Sequence, residues 1–356
     1  MSKTFFTVGP TQVHPQLETF IRDALAEHIP SISHRGKSFS ELYAHTVASV
    51  KKLLNVPEGH HVFFLGSATE AMERVIENCV AEHSLHFVNG SFSKRFFETA
   101  EELKKKPQKV EVAQGQSFDF SNVAVPPEVE LVCITQNETS TGVAVDMQDV
   151  YVLKRKHPEK LFAVDIVSSA PYVDIDYSLI DCTFFSVQKG FGMPAGLGVL
   201  VVNDACVEKS KTLQEKGTNI GSYHNFPVLL GYEAKHQTPE TPNVLGLYLL
   251  GRICDSYIKQ GIERIREETD EKADAIYSFF EKHGTYHPFV KNAAWRSKTT
   301  IVIDTPEGSG PVTKTLADNG FIVSSGYGKF KDTHIRIANF PSQTLEDTQR
   351  MLKLLK

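Results

Sequence analysis

The sequence of 356 residues lacks any apolar run long enough to cross a membrane. Its first ten residues also hold too short an apolar stretch for a secretory signal peptide. Only five cysteines occur, and they are scattered, odd in number and without the spacing of a disulfide framework or a metal site. We therefore expect a protein of the reducing cytoplasm that binds no metal.

Excess positive charge is also missing. The chain has 38 lysines and arginines against 43 aspartates and glutamates, a net charge of −5, which argues against a general nucleic-acid binder. Any anionic ligand must therefore be met by local positive charge. The composition, 41% hydrophobic and 23% charged, is typical of a soluble globular protein, and the length favours two domains.

Short apolar runs alternate with helical patterns between residues 60 and 205, which predicts an α/β fold with a mostly parallel sheet. Helices are expected at 68–80, 93–106 and 148–157. The candidate strands are 62–65, 85–88, 110–112, 131–135, 161–165, 182–186 and 199–202. Ligands of such sheets bind outside the carboxyl ends of the strands, where Asp165 and Lys189 fall.

A smaller α+β domain is predicted in the last third of the chain. A long helical pattern runs from 243 to 283 with a possible break at Gly261. Further elements are expected at 286–290, 300–303, 311–319, 321–323, 334–337 and from 344 onward. We place the large domain at 14–242 and the small domain at 243–356, together with residues 1–13.

Lys189 follows an apolar run and precedes small, flexible residues. Desolvation at the end of a buried strand can lower the pKa of a lysine amine toward nucleophilicity. Asp165 closes a neighbouring apolar run. A lysine and a carboxylate at the ends of adjacent strands are what pyridoxal phosphate requires, one for its carbonyl carbon and one for its pyridinium nitrogen. An ordinary structural lysine is the simpler alternative.

Three further stretches offer polar or flat surfaces at strand ends. Ser67, Ala68 and Thr69 open a predicted helix, where backbone N–H groups suit a phosphate, although a plain N-cap is the alternative. Phe92 suits stacking on a heterocycle or an ordinary core position. Thr139 offers a hydroxyl, and a turn or N-cap role is equally open.

Local positive charge comes from two segments. His34 and Arg35 form one, and Arg336 lies in the other. Arginine suits a carboxylate bidentately, while a surface ion pair is the plainer role. The pair His60-His61 has no metal-ligand partners at suitable spacing and is expected in a surface loop.

Together these stretches resemble a fold-type I, class V aminotransferase over essentially the whole chain, and the Ser33-His34-Arg35 triplet points to its phosphoserine branch. The matching stretches are Val8-Gly9-Pro10, Ser33-His34-Arg35, Gly66–Thr69, Asn137-Glu138-Thr139, Asp165, Gln188-Lys189, Gln237-Thr238-Pro239 and Arg336.

The resemblance implies roles for the residues that contact pyridoxal 5′-phosphate. Lys189 would form the Schiff base and carry the proton, and Asp165 would hold the pyridinium proton. Phe92 would stack on the ring, and Thr139 would meet the phenolic oxygen. The cofactor phosphate would be bound by Ser67, Ala68, Thr69, Gln188 and, from the partner subunit of a homodimer, Thr238.

The resemblance also implies substrate contacts. Arg336 would bind the α-carboxylate, and His34 with Arg35 would face the distal anion. Two departures from the phosphoserine branch bear on the substrate. Thr69 stands where many bacterial enzymes have arginine, and the loop 325–329 lacks their histidine-arginine pair, which leaves Lys329 or Lys331 as possible replacements.

The predicted function is amino transfer between glutamate and a three-carbon 2-oxo acid, namely 3-phosphohydroxypyruvate, in serine biosynthesis. The alternatives are an alanine or serine aminotransferase acting with glyoxylate or pyruvate, a non-catalytic protein that keeps the fold, and a Rossmann dehydrogenase. No nucleic-acid or membrane partner is expected.

Overall fold

A computed structural model describes residues 3–356, which form eleven α-helices and fourteen β-strands. The helices are α1 (Leu17–Ala26), α2 (Lys37–Leu53), α3 (Ala68–Cys79), α4 (Ser91–Glu102), α5 (Met147–Lys156), α6 (Asp204–Glu215), α7 (Phe226–Glu233), α8 (Val244–Gln260), α9 (Ile262–Glu281), α10 (Ser309–Asp318) and α11 (Leu345–Lys353). Among these described helices, none is both long and apolar enough to span a membrane.

The strands form two main sheets and one short hairpin. The strands are β1 (Thr4–Phe6), β2 (His60–Leu65), β3 (His83–Val88), β4 (Lys106–Glu111), β5 (Leu131–Thr135), β6 (Asn137–Glu138), β7 (Val143–Ala144), β8 (Leu161–Asp165), β9 (Cys182–Ser186), β10 (Gly198–Asn203), β11 (His287–Pro288), β12 (Thr300–Asp304), β13 (Phe321–Ser325) and β14 (His334–Ala338).

The larger sheet has seven strands in the order β2-β10-β9-β8-β5-β3-β4. Strands β4, β3, β5, β8 and β9 are parallel, and β10 is antiparallel to both β9 and β2. The mostly parallel sheet is therefore confirmed. Because parallel strands end at one edge, the residues after β3, β5, β8 and β9 meet there.

The smaller sheet has five strands in the order β1-β13-β14-β12-β11. Its edge strand β1 comes from the start of the chain and pairs in parallel with β13, Thr4 opposite Phe321. A separate apolar core beneath this sheet includes Phe6, Ile276 and Ile337.

Helix α8 packs on the larger part of the molecule. Its side chains Leu247, Leu250 and Tyr257 are buried in the same core as α2 and the seven-stranded sheet. The chain turns at Gly261, whose φ of +90° ends α8 and whose position was anticipated as a break. The domain division at residue 242 stays a prediction.

Two local expectations were wrong. The helix expected at 93–106 ends at Glu102, because the chain takes a left-handed turn at Lys104 (φ +59°) and continues as the polar edge strand β4. The pair His60-His61 lies in β2 rather than in a loop. His60 is 7% exposed.

His61 is held by side chains from two helices. Its ring nitrogens bond to Glu233 of α7 at 2.7 Å and to Asp204 of α6 at 2.9 Å. Because these partners lie far from His61 in the sequence, the local sequence pattern did not indicate that the histidine pair belongs to a strand.

Candidate active site

Lys189 lies in the turn after β9, and it is only 6% exposed. Its amine donates a hydrogen bond to Thr139 Oγ1 at 3.1 Å and lies 5.1 Å from the ring centroid of Phe92. Burial lowers the pKa of this amine, because water no longer stabilises its charge, and the Asp165 carboxylate opposes that shift only in part. The lysine is thus a buried amine of weakened basicity, as a nucleophile or proton carrier requires.

Asp165 is the last residue of β8 and is 3% exposed. Strand β8 pairs in parallel with β9, so Asp165 and the Lys189 turn share one edge of the sheet. Burial raises the pKa of the carboxyl, and the Val167 N–H, which donates to Oδ1 at 2.8 Å, and the Lys189 charge act against it. A cation beside this carboxylate would keep it ionised.

A cavity opens at this edge of the sheet and is lined by eight of the nine residues expected to bind a cofactor. These eight are Ser67, Ala68, Thr69, Phe92, Thr139, Asp165, Gln188 and Lys189. The ninth, Thr238, does not line the cavity of its own chain. The structure therefore brings together residues from the ends of five strands, β2, β3, β5, β8 and β9.

Ser67 begins the helix α3 at one wall of the cavity. Its hydroxyl accepts the Glu70 N–H at 3.1 Å, so the N-cap expected as the plainer alternative is present. Strand β10 runs directly against this turn, and a Cβ at Gly198 would lie 2.5 Å from the carbonyl carbon and oxygen of Ser67. The N-terminus of α3 nevertheless faces the cavity, and the positive end of the helix dipole favours an anion there.

Two half-buried carboxylates, bridged by a histidine, tie the start of α3 to the loop that carries Thr238. Glu70 accepts the Gly66 N–H at 2.8 Å and bonds to His224 Nδ1 at 2.5 Å, while His224 Nε2 bonds to Glu240 at 3.0 Å. Burial alone would lower the pKa of His224, but the two carboxylates outweigh it and raise it to about 9. The protonated imidazole therefore bridges the two segments at neutral pH.

Ser168, a residue not anticipated by sequence, joins the hydroxyl of Thr139 to the rest of the site. Its hydroxyl accepts from Thr139 Oγ1 at 2.8 Å and from Asn137 Nδ2 at 2.8 Å. Ser168 lies three residues after Asp165, and this position just beyond a strand end is the one feature of the sequence that could have indicated a role in the site.

The turn of Gln188 and Lys189 is covered by the N-terminal segment. Thr11 N–H donates to the Gln188 carbonyl at 3.1 Å. Gly9 has a φ of +141°, and a Cβ there would lie 2.8 Å from Lys189 Cε. Glycine is therefore required where the backbone passes the lysine side chain.

Arg35 is bound to the Thr238 loop. Its guanidinium donates to the carbonyls of Thr238 at 2.5 Å and Pro239 at 3.0 Å, and to Gln237 Oε1 at 3.3 Å. His34 packs edge-on to Phe39, 6.5 Å between centroids. Neither Arg35 nor His34 lines the cavity of its own chain.

Arg336 reaches the site through aromatic contacts. Its guanidinium lies 5.3 Å from the ring centroid of Tyr327, which in turn packs 5.3 Å from Phe92. Burial lowers the pKa of Arg336 to about 10, which leaves it charged at neutral pH. Lys329 and Lys331 are exposed, and Lys329 lies over the ring of Phe330 at 5.1 Å.

Comparison with known proteins identifies the family of the chain. The family model described as "Aminotransferase class-V" matches residues 7–329. The chain is 27% identical over 353 residues to the phosphoserine aminotransferase of Rhodococcus opacus (strain B4), covering 98% of this chain and 93% of the relative.

Solved structures extend the likeness. A phosphoserine aminotransferase from Cytophaga hutchinsonii is 43% identical with a TM-score of 0.97, covering 99% of this chain and 98% of that chain. An aspartate aminotransferase from Thermus thermophilus, 21% identical, shares the fold with a TM-score of 0.85 over 99% of this chain and 97% of its own.

A buried lysine and a carboxylate at the edge of a mostly parallel sheet define a fold-type I, pyridoxal-phosphate-dependent aminotransferase. The chain belongs to the class V aminotransferase family.

The cavity fits pyridoxal 5′-phosphate, the cofactor that this family implies. The N-terminus of α3 could bind the cofactor phosphate, and the Asp165 carboxylate could accept a hydrogen bond from the protonated ring nitrogen. The Lys189 amine could bond to the carbonyl carbon. Asn137 Oδ1, a buried acceptor in the cavity wall, has no partner among residues 3–356 and is available to a ligand.

Proposed function

We propose that the protein is a phosphoserine:2-oxoglutarate aminotransferase of serine biosynthesis. The observation that carries the chemistry is the Lys189 amine, buried between the Thr139 hydroxyl and the Phe92 ring in the same cavity as Asp165. The 43% identity to a protein named phosphoserine aminotransferase supports the substrate.

Each cavity residue has a proposed task. Pyridoxal phosphate supplies an electron sink for the charge left on the substrate's Cα. Lys189 Nζ would take the proton from the substrate's Cα and deliver it to the C4′ carbon of the cofactor, and burial favours the neutral form of the amine that the first step needs. Asp165 holds a proton at the ring nitrogen. Phe92 packs on the ring, and Thr139 Oγ1 meets the phenolic oxygen.

Different residues are proposed to bind the anionic groups of the cofactor and of the substrate. Ser67, Ala68, Thr69 and Gln188 bind the cofactor phosphate in this proposal, and Arg336 binds the substrate α-carboxylate.

The complete site belongs to a homodimer in this proposal. Four predicted site residues, Thr238, His34, Arg35 and Arg336, do not line the cavity around Lys189. Arg336 still adjoins it through Tyr327 and Phe92, whereas the other three have no such aromatic connection among residues 3–356. Because Arg35 is bonded to the Thr238 backbone, the two residues act as one unit. We therefore assign both, with His34, to the partner's site, where Thr238 reaches the cofactor phosphate and His34 and Arg35 face the distal anion.

One observation favours a second substrate class. The loop that replaces the histidine-arginine pair places Tyr327 against Phe92 and Arg336, while Lys329 and Lys331 point to solvent-exposed positions. Since Arg336 is assigned to the α-carboxylate and Lys329 lies over Phe330, this loop offers no further cation for a distal anion beside the ring. That arrangement suits a smaller amino acid, as in alanine or serine transamination with glyoxylate or pyruvate.

Profiling of amino donors and acceptors tests the assignment. Phosphoserine, glutamate, alanine and serine would be paired with 2-oxoglutarate, pyruvate and glyoxylate, omitting the two self-exchange pairs of glutamate with 2-oxoglutarate and alanine with pyruvate. The Lys189→Ala variant is the inactive control. We expect phosphoserine with 2-oxoglutarate to have the highest kcat/KM. A preference for alanine or serine with glyoxylate or pyruvate would replace the phosphoserine assignment by the alternative.

The cytoplasm is the proposed location. All five cysteines are buried free thiols, which suits a reducing compartment.

A further inference from the structure

The carboxylate of Glu138 is completely buried beside the cavity without lining it. We infer that Glu138 is a positioning residue, whose carboxylate holds Phe92 and Thr139 in place beside the Lys189 amine. The inference deepens the proposed function and rests on it, because Phe92 and Thr139 matter only if a flat cofactor enters the cavity.

The Glu138 carboxylate is surrounded by hydrogen-bond donors. Oε2 accepts the backbone N–H of Ser93 at 2.8 Å and its hydroxyl at 2.8 Å. Oε1 accepts the backbone N–H of Ser140 at 3.1 Å and its hydroxyl at 2.6 Å. The Phe92 N–H donates to both oxygens, at 3.2 and 3.1 Å. Since every partner donates, the group is bound as an acceptor-only carboxylate.

This carboxylate takes over the capping of α4. The N-cap residue Gly90 has no side chain with which to accept the first N–H groups of the helix. Glu138 reaches them from β6 instead, where the positive end of the helix dipole also favours a negative charge. A Cβ at Gly90 would lie 2.3 Å from Glu138 Cγ, so the glycine is what admits the carboxylate.

The contacts of Glu138 lead to two neighbours of the reactive amine. Phe92, whose N–H it holds, has its ring 5.1 Å from Lys189 Nζ. Thr139, the next residue in the chain, accepts from Lys189 Nζ at 3.1 Å. One side chain therefore fixes both the backbone that carries the ring and the turn that carries the hydroxyl.

A capping role without influence on the site is the plain alternative, and the chain offers a matched control for it. Glu130 lies at the other end of β5 and accepts three backbone N–H groups, those of Ala81 at 3.1 Å, Glu82 at 2.8 Å and His83 at 3.1 Å. It contacts no residue of the cavity. Glu130→Gln should loosen the fold without reaching the site.

The experiment compares Glu138→Gln, Glu130→Gln and wild type with and without pyridoxal phosphate. In Glu138→Gln an amide N–H₂ would face backbone donors, so we expect hydrogen exchange at Phe92 and Ser93 to be at least about tenfold faster even without cofactor. We further expect an approximately ten- to hundredfold weaker Kd for pyridoxal phosphate and a smaller circular-dichroism signal of its bound ring. Glu130→Gln should change neither site property, whatever its loss of thermal stability.

Ser140→Ala is a second variant if Glu138→Gln does not fold, because it removes a donor without leaving a mismatched amide. It should weaken cofactor binding in the same direction and by less. Unchanged affinity and ring signal in a folded Glu138→Gln or Ser140→Ala protein would overturn the inference, as would an equal loss in Glu130→Gln. A wild-type protein that binds no pyridoxal phosphate would instead refute the proposed function, and exchange at Phe92 would still report whether Glu138 fixes the helix.

Discussion

The Lys189 and Asp165 pair shows how burial sets the properties of a site. Each group alone would be driven toward its neutral form, since burial lowers the pKa of the amine and raises that of the carboxyl. Their attraction counteracts both shifts. A change at one of the two residues should therefore shift the pKa of the other.

The pH dependence of cofactor capture measures this coupling. Only the neutral amine of Lys189 attacks a carbonyl, so the capture rate of apoprotein should fall about tenfold per pH unit below the pKa of that amine. The midpoint should lie below the ordinary pKa of lysine, because burial lowers it. Stopped-flow absorbance of pyridoxal phosphate mixed with apoprotein gives the profile.

Asp165→Asn should move that midpoint to still lower pH, since the Asp165 charge raises the pKa of Lys189. The same variant should keep its cofactor but lose at least about a hundredfold in kcat, because an amide cannot hold the ring proton. A midpoint that stays in place would mean that the two groups are not coupled.

The sequence allowed the roles of some of these residues to be predicted and not others. Lys189 and Asp165 directly follow or close apolar runs, so their placement at strand ends could be inferred locally. Glu138 was visible only as part of a polar turn. Its partners Phe92 and Ser93 lie far away in the chain, and no local pattern encodes such a contact.

Strands and helices differ in how well their limits could be anticipated. The central strands β5, β8 and β9 begin and end at the expected residues, because each is a short, mostly apolar run. The edge strand β4 is polar, and the expected strand at 110–112 covered only its end, while its first residue, Lys106, was placed in a helix. Central strands carry the signal of burial on both faces, and edge strands do not.

Strand β10 offers a test at the scale of an element. Gly198→Ala should push the start of α3 away, since its Cβ would meet the Ser67 backbone at 2.5 Å. We expect the Kd for pyridoxal phosphate to weaken about ten- to hundredfold, and the Kd for pyridoxal, which lacks the phosphate, to change far less. Equilibrium titration of the two ligands provides the comparison.

The control for this test is Gly231→Ala in α7, where nothing lies within 4 Å of an added Cβ. It should raise the free energy of unfolding by about 0.5–1 kcal/mol and leave both affinities unchanged. Equal losses for the two ligands in Gly198→Ala would show that α3 does not act through the phosphate.

At the scale of the whole molecule, the proposed homodimer predicts that two chains share each site. Arg35 is bonded to three consecutive residues of the Thr238 loop in its own chain. If that loop serves the partner's cavity, Arg35 must go with it. Subunit mixing can separate this arrangement from one in which each chain builds its own site.

Hybrid dimers of Lys189→Ala and Arg35→Ala subunits test the shared site. Arg35→Ala alone should lose about ten- to hundredfold in kcat/KM for phosphoserine and glutamate and little for alanine, which has no distal anion. Mixed and reassembled with Lys189→Ala, it should recover about a quarter of wild-type phosphoserine activity, because half of the dimers then contain one intact site. No recovery would assign Arg35 to its own chain's cavity.

The pairing of β1 with β13 has a consequence for the order in which the protein is made. Strand β1 leaves the ribosome before the other described strands, yet its partner β13 is synthesised only after all seven strands of the larger sheet. The nascent chain can therefore fold its larger sheet while β1 remains unpaired. The segment that follows β1 carries Gly9 past Lys189, so the backbone wall of the reactive amine is set in place only when the last strands have emerged. Catalytic competence should be the final event in the biogenesis of this enzyme.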